Sequence, residues 1–115
     1  MIPRSLIALS FLSASLAATP ASASPPWTFC VAAALGSKDI WITALFPAAI
    51  DRERLEAELK GLLERQGHAR IVAQCPQPKD DKVEVVNAQT VAEEYNRKLG
   101  NALHAVPAQE FPPRE

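Results

Sequence analysis

The chain has 115 residues, with 12 Lys and Arg against 13 Asp and Glu, and 48% of its residues are hydrophobic. That balance excludes the basic excess that draws nucleic acid or an anionic membrane surface, and the apolar fraction excludes a disordered chain. The length suits one small domain rather than two.

The N-terminus reads as a leader. Arg4 gives a basic start, residues 5–18 form an apolar run, and residues 19–24 are small, with Ala-x-Ala at Ala21 and Ala23. These three parts in this order predict a secretory signal peptide over residues 1–23. The run is shorter than the roughly 20 residues of a spanning helix; an uncleaved anchor is the alternative. Cleavage after Ala23 leaves 92 residues, Ser24 to Glu115, with 11 cations, 13 anions and no membrane span. The alanine-rich leader is bacterial in style, so the periplasm or the medium is the expected compartment. In either, Cys30 and Cys75 are expected to form a disulfide. Closing a loop of 45 residues stabilises by about 4 kcal/mol in the chain-entropy picture.

From Trp27 to Phe46 the sequence reads as a β-hairpin. Two apolar runs, Trp27–Leu35 and Ile40–Phe46, flank the turn composition Gly36-Ser37-Lys38-Asp39. On the first strand Trp27, Phe29, Val31 and Ala33 share one face, and Thr28, Cys30 and Ala32 the other. On the second, Ile40, Ile42, Ala44 and Phe46 alternate with Trp41, Thr43 and Leu45. Neither face is polar, so both need cover.

Asp51 is an N-cap for a helix with one leucine stripe, Leu55, Leu59, Leu62 and Leu63, ended by Gly67. Gly61 lowers helix propensity by about 1 kcal/mol relative to Ala and is expected to mark close approach to the sheet. Arg70–Cys75 reads as an edge strand, with Ile71, Ala73 and Cys75 on one face. Asp81 and Glu84 open a second helix at capping-box spacing, and Val85, Ala88, Val91, Ala92, Tyr95 and Leu99 hold its apolar period up to Gly100. Leu103–Val106 is expected to add a short final strand. The proline-rich residues 107–115 are expected to be a poorly ordered tail. The fold class is therefore α+β: one domain over residues 24–106, a two-layer sandwich with both helices on one face of a three- or four-stranded sheet.

Chemistry-bearing motifs are sparse. Ser24 and Ser37 are the serines after the leader, and neither lies in a Gly-x-Ser-x-Gly elbow. His68 and His104 have no metal-ligand spacing around them, and no Cys-x-x-Cys or glycine-rich phosphate loop occurs. The paired carboxylates Asp80/Asp81 and Glu93/Glu94 read as solvated helix surface. No cofactor, metal or catalytic residue is indicated. The apolar sheet face that the helices do not cover is then the candidate binding surface, with Trp41, Thr43 and Leu45 on it, unless the tail from Val106 to Phe111 folds back over it. The expected function is non-catalytic binding of a protein or cell-envelope component. The alternatives are a small secreted enzyme built from residues such as Ser37, Asp39 and His68, or a homodimer joined through that face.

Overall fold

The computed structural model describes residues 25–113; the leader reading lies outside them. The chain forms β1 (Trp27–Thr28), β2 (Val31–Ala34), β3 (Asp39–Thr43), β4 (Phe46–Pro47), α1 (Arg52–Arg65), β5 (Ile71–Gln74), α2 (Lys82–Lys98) and β6 (Ala102–Val106). The α+β class and the order hairpin, helix, strand, helix, strand are as the sequence predicts.

The main sheet has strand order β5-β2-β3-β6, with β2 antiparallel to both β3 and β5, and β6 parallel to β3. The hairpin turns at Gly36, whose φ of +84° is a region that side chains disfavour. Asp51 caps α1 by accepting from the Arg54 N–H, and Asp81 caps α2 by accepting from the N–H groups of Val83 and Glu84.

One extra residue breaks the hairpin in two. Val31 stands opposite Ile42, but Thr28 stands opposite Phe46, so three steps on one strand match four on the other. This is a β-bulge, and it resets which residues face which way. Trp41 and Phe46 therefore share the face of Cys30 and Ala32, while Leu45 crosses to join Ile40, Ile42 and Phe29. The expectation that Trp41, Thr43 and Leu45 form one face is corrected: unbroken alternation does not pass through a bulge.

A second correction concerns the helices, expected on one face. Leu55, Leu59 and Leu63 of α1 pack with Cys30, Ala32, Trp41 and Ile71, whereas Val85 of α2 packs with Phe29 and Ile42, which alternate with the first set. The helices therefore lie on opposite faces, in a helix–sheet–helix arrangement. The physical reason is in the strands: β2 and β3 are apolar on both sides, so each side takes a helix.

Cover on the two faces is unequal. A four-stranded sheet is about 19 Å wide at strand spacings of about 4.8 Å, and a helix with side chains spans only about 10 Å. On the α1 side the chain makes up the difference. Phe111, 1% exposed, joins that core and meets Phe46 edge to face, with ring centroids 5.6 Å apart. Phe111 therefore anchors the segment after β6 to this core, which is the fold-back of the tail that the sequence left open. On the α2 side nothing comparable follows the helix among the described residues.

Cys30 and Cys75 are disulfide-bonded, with Cα atoms 4.1 Å apart. They continue the β2–β5 register, in which Val31 faces Gln74 and Ala32 faces Ala73. Their place is a non-hydrogen-bonded pair, where antiparallel Cα atoms come closest. The Cys75 N–H, turned to the open edge, donates to the Glu56 carboxylate of α1 at 2.9 Å.

Candidate functional site

The residues singled out for binding are structural. Trp41 is 5% exposed and Thr43 1% exposed, both beneath the α1 side, and Leu45 is half-buried on the other side. Thr43 repairs the bulge. Its hydroxyl accepts from the Cys30 N–H at 2.9 Å, taking the place of a backbone carbonyl in the ladder, and donates to the Ala44 carbonyl at 3.0 Å. The freed Thr43 carbonyl accepts from the Gln89 side chain of α2 at 2.8 Å. The expectation that these three residues form an exposed surface is therefore corrected: they serve the core and its hydrogen-bond ladder.

The residues considered for catalysis do gather. The β2–β3 turn supplies Ser37 and Asp39, β6 supplies His104, and the segment after α1 supplies His68. His104 Nε2 is 2.8 Å from Asp39 Oδ1, and the Ser37 hydroxyl donates to Asp39 Oδ2 at 3.3 Å. The His68 and His104 rings both lie against Trp41, with centroids at 4.7 and 5.3 Å. The His104 hydrogen bond holds the Asp39 carboxyl below its ordinary value. Partial desolvation opposes that, while Ser37 and the two histidines add to it. Ser37 and His104 bind different oxygens of one carboxylate. A Ser-His-Asp site needs the serine on the imidazole, with the carboxylate behind it; here the carboxylate sits between Ser37 and His104. Among the described residues no group of three or more His, Cys, Asp or Glu side chains is placed to hold a metal ion.

A third place was not identified from the sequence. Helix α2 covers the β3–β6 side of its face and leaves the β2–β5 side open. A groove of about 790 Å³ runs there, floored by Phe29, Val31, Val72 and Gln74 and walled by Ala88, Val91, Ala92 and Tyr95. Arg52 and Glu56 reach it past the β5 edge. Its volume is in the range of ligand-binding clefts, and its walls are mostly apolar. In the 17-residue α2 only Val85 is buried; Val91 is 64% exposed and Tyr95 62%. The sequence does contain a signal for this. The apolar period from Ala88 to Leu99 is wider than one packing contact with two strands can bury.

Comparison with known protein families, curated proteins and solved structures gives no match. Among the described residues no helix is long and apolar enough to cross a membrane.

Proposed function

We propose that this chain is an exported, non-catalytic binding domain that recognises a protein or cell-envelope component through the groove between α2 and the β2–β5 half of the sheet. The observation that carries the reading is the pairing of two surfaces with the composition of a core, Phe29, Val31 and Val72 on one side and Ala88, Val91, Ala92 and Tyr95 on the other, facing each other across open space. Apolar surface of this kind is stabilised when a partner removes it from water. The idea of a sheet-face binding surface is retained, but on different strands and different residues. Export is supported by the leader pattern of residues 1–23 and by the Cys30–Cys75 bond, which fits an oxidising compartment.

The enzyme reading has less support, because Ser37 bonds the carboxylate rather than the imidazole. The test is a hydrophobic fluorescent dye titrated into a dilute solution of the chain beginning at Ser24, which keeps every described residue. Fluorescence should rise on binding, and Val91→Glu should reduce the affinity at least about tenfold, roughly 1.4 kcal/mol. Equal binding by wild type and variant, with both folded by circular dichroism, contradicts the proposal.

A further inference from the structure

Resting on the groove reading, we infer that its partner is a second copy of this chain, whose α2 lies antiparallel along the α2 described here. The argument begins with the stripe that borders the groove. Glu84, Val91 and Lys98 are seven residues apart, so they line one side of the helix, and Ala88 and Tyr95, each four residues further on, flank them. All five are exposed, and Ala88, Val91 and Tyr95 line the groove.

This stripe is its own complement. A two-fold axis through Val91 sets Val91 against Val91 of the second copy. The same axis sets Glu84 against Lys98, and Lys98 against Glu84. The acid lies in the first turn of α2 and the base in its last, each favoured there by the helix dipole. Antiparallel pairing thus brings opposite charges together at both ends of an apolar centre. Parallel pairing would set Glu84 on Glu84 and Lys98 on Lys98, and like charges placed opposite each other disfavour an arrangement. The same residue patch meets itself, as a two-fold interface requires. The uncovered half of the sheet supplies the rest of the motive: one helix of about 10 Å cannot span a face of about 19 Å.

The test is light scattering and sedimentation of the chain from Ser24, over a range of concentrations, on wild type and four variants. Wild type should reach twice the monomer mass as concentration rises. V91E should be monomeric, because it places like charges on the two-fold axis. E84K and K98E should each weaken association by about tenfold, and the double variant E84K/K98E should restore it. The exposed charge swaps leave the core untouched, so they remain informative even if V91E folds poorly. A monomeric wild type overturns the inference, as does a dimer that the single swaps do not weaken or the double swap does not restore. A monomer that still binds dye in a Val91-dependent way leaves the groove reading standing and removes only the second copy. A monomer that binds no dye removes both.

Discussion

Thr43 and Asp39 illustrate how single side chains here do work that their residue types do not announce. The Thr43 hydroxyl closes the hydrogen-bond ladder at the bulge and is itself buried. Thr43→Val keeps the shape and removes the acceptor, leaving the Cys30 N–H without its partner. The expected loss is about 1–3 kcal/mol in urea unfolding, with Thr43→Ser retaining most of the stability; equal stability of the valine variant would contradict the role. Asp39 is exposed, and its carboxyl is held below the ordinary value of 3.8 first by its hydrogen bond to His104. A depressed folded value means that the stabilisation is present above the unfolded value and is lost as pH falls through the folded one. The stability difference between wild type and Asp39→Asn should therefore shrink as the pH drops below about 4. A difference that grows toward acid would reverse the sign and refute the assignment.

At the scale of elements, the helices and strands were legible because their signals are local. Asp51 and Asp81 cap the two helices, Gly67 and Gly100 follow their ends with positive φ, and alternation places Ile71, Ala73 and Cys75 on the core side of β5. What the sequence does not display is the bulge between Thr43 and Phe46, since nothing in Ala44-Leu45 distinguishes a four-step match from a three-step one. That single residue moved Leu45 across the sheet. Nor does the sequence say which face a helix takes when both faces are apolar. Gly61 is a smaller example. A Cβ there would meet only the Arg65 guanidinium, at 3.2 Å, and not the sheet. The expected close approach is absent, so Gly61→Ala should raise stability by about 0.5–1 kcal/mol through helix propensity. Thermal or urea unfolding checks this, and a loss would mean that the Arg65 side chain cannot give way.

At the scale of the whole molecule, cover is shared unequally between the two faces of the sheet. Helix α1, Phe46 and Phe111 close one face, and the Cys30–Cys75 bond pins β5 to β2 beneath them. Among the described residues the other face has only α2 as a helix, held by Val85 and by the Gln89 bond to Thr43. Whole-chain geometry of this kind is not written in any one segment: the tail had to dock on one side before the other could be recognised as open. The most direct test maps where an apolar ligand binds. Titrating a hydrophobic dye into isotopically labelled chain and following backbone and methyl resonances should perturb Val31, Val72, Val91 and Tyr95 while leaving Leu59, Leu63 and Phe111 unmoved. Perturbation centred on the α1 side, or none at any site, would contradict the assignment of the groove as the recognition surface.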